Sequence, residues 1–204
     1  MRNEFPSFVT RRGLMAGALG AATLAVLPRQ VLALDINSAR ALIDRAIGEV
    51  NQVINSGKPE VAMYADFEGI FARFGDVPVI ARSALGVAAK SASAAQMSAF
   101  TLAYRGYIGR KYGRRFREFI GGRIEVVDAR PLKSYFEVIS VAHLQGEAPF
   151  DLRWHVSNKS GKDLFFNIII EGVNMLGTER TEIGAMLDQR RGDIDALIRD
   201  LKTA

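Results

Sequence analysis

The sequence predicts an α+β fold in which a four-stranded antiparallel sheet is covered on one face by helices. Changes of hydrophobic period along the 204 residues support this prediction. Apolar residues recur every three or four positions before Gly121-Gly122, follow strand patterns from there to Glu171, and return to helical spacing near the C-terminus. Helices and strands that occupy separate stretches of a chain are typical of α+β domains.

Two amphipathic helices are expected first. Over residues 35–55, apolar side chains keep helical spacing until Gly57 and Pro59 end the helix. The next segment, which ends at Gly75, carries a largely aromatic stripe at similar spacing. Such a stripe either packs in the core, which is commoner, or lines a ligand cavity. Its members are Val61, Tyr64, Phe67, Ile70, Phe71 and Phe74.

A short helix over residues 76–89 and then a long helix are expected next. Ser93 and Gln96 have the spacing of a capping box, in which each side chain accepts a hydrogen bond from the other residue's backbone N–H. They precede the long helix and mark its start. Its inward-facing residues are Met97, Phe100, Tyr104 and Ile108.

A basic cluster lies near the end of the long helix. It is either a solvated face that suits the helix C-terminus, or a docking patch for anionic lipid headgroups or an acidic partner. Both interpretations stay open at the level of the sequence. The cluster consists of Arg110, Lys111, Arg114, Arg115 and Arg117.

Four strands with short connections follow, which favours an antiparallel meander. Glu171-Gly172 end the last strand, and helical spacing resumes from Thr178. Two short helices, separated by Gly192-Asp193, close the chain. The strands are expected over residues 123–130, 135–143, 150–157 and 164–171.

One face of this sheet is expected to be apolar. In the third strand Leu152, Trp154 and Val156 alternate with polar residues, so they share a face. The same alternation predicts the inner-face residues of the other strands. They are Ile124, Val126, Phe136, Val138, Phe166, Ile168 and Ile170.

The N-terminus resembles an export signal. Arg11-Arg12 precede fifteen uncharged residues from Gly13 to Leu27, and Val31-Leu32-Ala33 form a small-residue cleavage site. The paired arginines favour the twin-arginine route, with an ordinary Sec signal as the alternative. A membrane anchor fits less well, because the run falls short of the ~20 residues that a spanning helix needs. Residues 1–33 are therefore predicted to be cleaved, leaving a single domain over residues 34–204.

Composition argues against several classes of function. The signal holds four arginines and one glutamate, three of the five net positive charges, so the remaining domain carries about +2. That charge gives no support to nucleic-acid binding. Cysteine is absent, and His143 and His155 lack a nearby second ligand, so neither a metal nor another cofactor is expected.

No catalytic motif stands out, and the protein is not expected to be an enzyme. Asp128 and Glu171 lie near strand ends and could meet as acid and base, but pairing with arginine or capping a corner is the commoner role. A curved sheet that faces amphipathic helices can instead leave an apolar cleft between the layers. Composition alone does not separate such a pocket from a filled core.

Several segments in order resemble the MlaC family, also called the toluene-tolerance or auxiliary organic-solvent-tolerance family. The main match is IEGVNMLGTERTEI, from Ile170 to Ile183. Asn167 stands where this family commonly has an aspartate. Supporting matches are ARSALG with the later Gln96 and Phe100, FREFIGGRIEV from Phe116 to Val126, and the closing GDIDALI.

The resemblance implies a monomeric periplasmic phospholipid carrier that holds the acyl chains of a diacyl lipid between sheet and helices. Its implied partners are an inner-membrane ABC transporter with MCE-domain subunits and an outer-membrane lipoprotein-porin complex, and its role is maintenance of outer-membrane lipid asymmetry. The residues expected to line the acyl pocket come from the inner face of the sheet and the aromatic stripe. They are Phe71, Phe74, Ile124, Val126, Phe136, Val138, Leu152, Trp154, Phe166, Ile168 and Ile170.

Three alternatives remain. Relatives in the same family are associated with hopanoids, so a hopanoid or another lipid is the nearest rival ligand. A small pocket enzyme of the isomerase or dehydratase kind would need a titratable pair deep in the pocket, for example among Asp128, His155 and Glu171. An adaptor would dock envelope complexes through the basic cluster.

Overall fold

Six α-helices and one five-stranded sheet make up the computed structural model, which describes residues 34–204 apart from the side chains of Phe116 and Arg117. The predicted export signal over residues 1–33 lies outside the described residues. The helices are α1 (Ile36–Ile54), α2 (Glu60–Phe74), α3 (Val77–Leu85), α4 (Ala94–Arg115), α5 (Met175–Gln189) and α6 (Ile194–Leu201). The strands are β1 (Arg123–Leu132), β2 (Tyr135–His143), β3 (Phe150–Ser157), β4 (Leu164–Ile170) and β5 (Val173–Asn174).

Local hydrogen bonds explain where the helices begin and end. The predicted capping box is confirmed, because the Ser93 N–H donates to Gln96 Oε1 at 3.0 Å and the Gln96 N–H donates to Ser93 Oγ at 3.1 Å. The helix predicted over residues 76–89 is divided. Gly86 has φ +63°, which ends α3, and the segment Gly86–Lys90 continues as a 3-10 helix.

The sheet has five strands in the order β1-β2-β3-β4-β5, each antiparallel to its neighbours. The meander is confirmed, but the predicted number of four strands is wrong. Glu171 and Gly172 have φ values of 49° and 82°, so the chain reverses and Val173 pairs with Ile170. A strand of two residues is too short to show an alternating pattern in the sequence. Helix α5 then begins earlier than the expected Thr178, because the Asn174 side chain caps it by accepting a hydrogen bond from the Gly177 N–H.

A bulge in β4 changes which aromatic residue faces the helices. Val156 pairs with Phe165 and His155 pairs with Asn167, which leaves Phe166 as an extra residue. Phe165 therefore packs edge-on against Trp154, with ring centroids 5.3 Å apart. The ring of Phe166 packs instead against Tyr135 and His155, so Phe165 takes the position beside Trp154 that strand parity predicted for Phe166.

The helices cover the sheet unevenly. Helix α1 packs on β1, and to a smaller extent on β2 and β3, while α3 and α5 contact β4. Helices α2 and α4 approach closely at Gly109 and Gly113, where an added Cβ would lie 2.8 Å from Glu68 Cβ and 2.4 Å from Tyr64 Cδ1. Helix α1 therefore covers mainly β1, the strand at one edge of the sheet.

Candidate functional site

A cavity of about 340 Å³ lies between the sheet and the helices. Its strand wall includes Leu152, Trp154 and Phe165, and its buried helical wall comes mainly from α1, α2 and α4. Most of the lining is apolar, as is usual for pockets that bind small organic ligands. The helical wall includes Ile47, Val50, Phe67, Ile70, Tyr104 and Ile108.

Seven of the eleven predicted pocket residues line this cavity. They are Phe71, Ile124, Leu152, Trp154, Phe166, Ile168 and Ile170. The other four do not line it: Phe74 and Val138 are buried in the core, while Val126 and Phe136 are partly buried and pack against it. Val126, Phe136 and Val138 lie on β1 and β2, where α1 covers part of the inner face.

Hydrogen bonds of two polar side chains fix the orientation of the strand wall. The Trp154 indole Nε1–H donates to Ser140 Oγ at 2.9 Å, and Ser140 is fully buried. Asn167 also borders the cavity, and its Oδ1 accepts from the Leu176 N–H at 3.2 Å. These bonds hold the indole in place and tie β4 to the start of α5.

The cavity opens to solvent beside charged residues. Of its lining residues, Arg115, Glu118, Glu147 and Glu171 are exposed, whereas Tyr104, Ile108 and Trp154 are buried. The site therefore has a charged rim and an apolar interior. This is the distribution that an amphipathic ligand needs if its polar end is to remain in water.

A polar cluster closes one part of the helical wall. Glu179 is only 3% exposed, and its Oε1 accepts from Lys111 Nζ at 2.7 Å and from the Tyr112 hydroxyl at 2.6 Å. Lys111 also pairs with Glu182, which accepts a hydrogen bond from the Tyr107 hydroxyl. Burial, followed by the nearby Glu179 carboxylate, raises the pKa of Tyr112.

The basic cluster is thus divided between two roles. Lys111 belongs to the polar cluster around Glu179, and Arg110 donates to the carbonyls of Leu201 at 2.5 Å and Ala204 at 2.8 Å. Arg114 and Arg115 are exposed. Two of the five cations therefore hold α4 against α5 and the C-terminal segment.

Two atoms within this wall lack a hydrogen-bond partner among the described residues. They are the hydroxyl oxygen of Tyr104 and Oε2 of Glu179. Both residues line the cavity. Leaving a buried polar atom unpaired costs about 1–3 kcal/mol. Burial also raises the pKa of Tyr104 well above its ordinary value, and the Glu179 carboxylate adds to that effect, so the phenol keeps its proton at neutral pH.

The sequence pointed to the strand wall more than to this helical cluster. Glu179 was missed because a charged residue in a helix usually faces solvent. A signal was present, however: Glu179, Ile183 and Leu187 are four apart and share one helix face, which is buried.

The acid–base pair that the sequence allowed is not assembled. Glu171 is at the cavity rim, whereas Asp128 lies on β1, and its carboxylate accepts from the Ala129 N–H at 2.8 Å. Between β1 and β4 stand two intervening strands. His155 lies on the opposite face of the sheet from Trp154, 3.5 Å from the Glu137 carboxylate.

Residues 34–204 contain no group of three or more His, Asp or Glu side chains arranged to hold a metal ion. Within the same part of the chain, none of the helices has the length and apolar character required to cross a membrane.

Comparison with known proteins places this architecture in context. Residues 44–203 match the family model described as MlaC protein. A similar solved structure is the phospholipid-binding protein from Ralstonia solanacearum in complex with a phospholipid. It has 17% sequence identity and a TM-score of 0.68, and the match covers 80% of this chain and 94% of that one. At this identity the structural match shows a shared fold.

Proposed function

This chain belongs to the MlaC protein family, and we propose from that membership that it is a phospholipid carrier of the bacterial periplasm. The observation that carries the proposal is the apolar cavity between the sheet and the helices. Each methylene group that leaves water for such a cavity contributes roughly 0.8 kcal/mol. Acyl chains can therefore be held without any polar contact. The phospholipid bound to the Ralstonia solanacearum protein supports the same ligand class on the same fold.

The proposed binding mode follows the polarity of the site. The acyl chains lie against the strand wall formed by Leu152, Trp154 and Ile168, and the headgroup stays at the charged rim beside Arg115. The Arg115 guanidinium is suited to a phosphate group because it presents several donors in a planar fork. The lipid enters and leaves unchanged, so the proposed function includes no catalytic step.

The proposed cellular role extends beyond the site itself. The paired arginines, the uncharged run and the small-residue site within residues 1–33 support export and cleavage, with residues 34–204 acting as a monomeric lipid-binding domain. The family resemblance supports hand-off between an outer-membrane lipoprotein-porin complex and an inner-membrane MCE-type ABC transporter. Such a carrier would help to maintain outer-membrane lipid asymmetry.

Native mass spectrometry with lipid extraction tests this proposal on protein purified from the cells that make it. A discrete added mass that matches a diacyl phospholipid is the expected result. A hopanoid mass would replace the phospholipid by another lipid cargo. Protein without lipid that also takes up none from phospholipid vesicles would overturn the carrier function and favour the enzyme or adaptor alternatives.

A further inference from the structure

The helical wall of the cavity contains an unpaired donor and an unpaired acceptor. Among the described residues of 34–204, the hydroxyl of the fully buried Tyr104 has no hydrogen-bond partner, and Oε2 of the buried Glu179 has none either. Both residues line the cavity. The other oxygen of Glu179 is fully used, since it accepts from Lys111 and Tyr112. This wall therefore holds two buried side-chain atoms, one donor and one acceptor, with free hydrogen-bonding capacity.

The charges around these atoms determine what kind of group fits. Glu179 is already paired with Lys111, so an incoming ammonium would add an extra buried positive charge. An anionic group would meet the carboxylates of Glu179 and Glu182. A neutral group that both donates and accepts avoids both costs. A hydroxyl has this property, because it carries one O–H donor and two acceptor lone pairs.

We propose that Tyr104 and Glu179 form a subsite for a hydroxyl group carried on the apolar part of the bound lipid. The ligand hydroxyl donates to Glu179 Oε2 and accepts from the Tyr104 phenol. Both atoms are sealed from solvent, so the side chains must turn slightly to admit the ligand group. The inference rests on the proposed carrier function and narrows its ligand class. The hydroxyl has two possible sources, a hydroxylated acyl chain of a phospholipid or a polycyclic alcohol.

The test measures lipid affinity for matched pairs of probes with delipidated protein. One pair is a phosphatidylcholine with a mid-chain hydroxyl and the same lipid without it. The other pair is cholesterol and its hydrocarbon analogue cholestane. The protein should bind the hydroxylated member of one pair about tenfold more tightly, as expected for a hydrogen bond to a charged acceptor. The pair that shows the preference identifies the source of the hydroxyl.

Tyr104→Phe removes the phenol and keeps the ring. This variant should lose most of the hydroxyl preference, that is, the ratio of its affinities for the hydroxylated and unhydroxylated members of the pair. Its unfolding midpoint should be equal to or above that of the unchanged protein, because an unpaired buried hydroxyl is removed. Tyr107→Phe is the matched control in the same helix as Tyr104: the Tyr107 hydroxyl donates to Glu182 of α5, and Tyr107 is not part of the cavity lining. The control should keep the preference.

The outcomes separate the two proposals. Equal affinity for both members of each pair, together with phospholipid binding, would overturn the hydroxyl subsite and leave the carrier function standing. A Tyr104→Phe variant that keeps the full preference would also overturn the subsite. Protein that binds none of the probes would overturn the carrier function and the subsite together.

Discussion

The side-chain amide of Asn51 bonds both the backbone N–H and the backbone carbonyl of Ile124, as a neighbouring strand would. Asn51 Nδ2 donates to the Ile124 carbonyl at 2.9 Å, and the Ile124 N–H donates to Asn51 Oδ1 at 3.0 Å. The bonds fasten α1 to the start of β1, and Ile124 itself forms part of the cavity wall. The Asn51 amide therefore helps to position the helix that closes one side of the site, together with the Arg40 guanidinium, which donates to the Val126 carbonyl at 3.1 Å.

Asn51→Ala should lower the free energy of unfolding by about 1–3 kcal/mol, because it leaves two partly buried backbone groups without their partner. Urea denaturation measures the change. Gln52→Ala is the control, since Gln52 is exposed on the same helix, and its effect should stay within about 0.5 kcal/mol. Equal effects of the two substitutions would contradict the role assigned to the Asn51 amide.

Gly109→Ala should destabilise the protein by about 1–3 kcal/mol despite the better helix propensity of alanine. The new Cβ would lie 2.8 Å from Glu68 Cβ and 3.2 Å from Glu68 Cα, so α2 and α4 would have to separate. Gly184→Ala is the matched change in α5, where a new Cβ meets no atom within 4 Å. It should stabilise by about 0.5–1 kcal/mol. A lower unfolding temperature for Gly109→Ala together with a higher one for Gly184→Ala would establish the close contact between α2 and α4 at Gly109.

Ile168→Trp should reduce phospholipid uptake from vesicles at least several-fold, because the larger side chain occupies part of the cavity that Ile168 lines. Ile169→Trp is the control on the neighbouring residue. Its side chain alternates to the other face of β4, and Ile169 is not part of the cavity lining. If both variants take up as much lipid as the unchanged protein, the cavity is not the lipid site.

His155 should make stability depend on pH below neutrality. Burial lowers the pKa of His155 from its ordinary value of 6.5 and outweighs the opposing effect of the Glu137 carboxylate. The unfolded chain therefore takes up the proton first as the pH falls. The stabilising contribution is complete above about pH 6.5 and is lost progressively below it.

Urea unfolding at a series of pH values between about 5 and 8 measures this dependence. His155→Gln should flatten the part of the profile that lies below the ordinary histidine pKa. His143→Gln keeps His155 and should therefore keep the slope. An unchanged slope in His155→Gln would assign the dependence to other groups.

Elements whose hydrophobic pattern is long and regular could be predicted from the sequence. The helix around Leu42 and Ile43, the capping box at Ser93 and the alternation at Trp154 were all predicted, because periodicity and capping are local properties. The end of the last long strand at Glu171-Gly172 was also predicted, and Gly172 has φ +82° there. The strand after it was missed because two residues carry no measurable period.

Three features of the site depend on interactions that the sequence pattern does not contain. The bulge at Phe166 shifts the register by one residue, and strand parity alone does not reveal an added residue. The position of the cavity depends on which part of the sheet α1 covers, which is a tertiary property. Glu179 is buried only because Lys111 and Tyr112, more than sixty residues earlier in the chain, supply its hydrogen bonds.

The order of the strands has a consequence for how the chain folds. Each strand pairs with the one that precedes or follows it, so the sheet can assemble from successive hairpins that close only short loops. Docking of α1 is different, since Asn51 must meet Ile124 across 73 residues. Local contacts form faster than distant ones. We therefore expect the hairpins to form before α1 docks, so that the sheet precedes the closed cavity during folding.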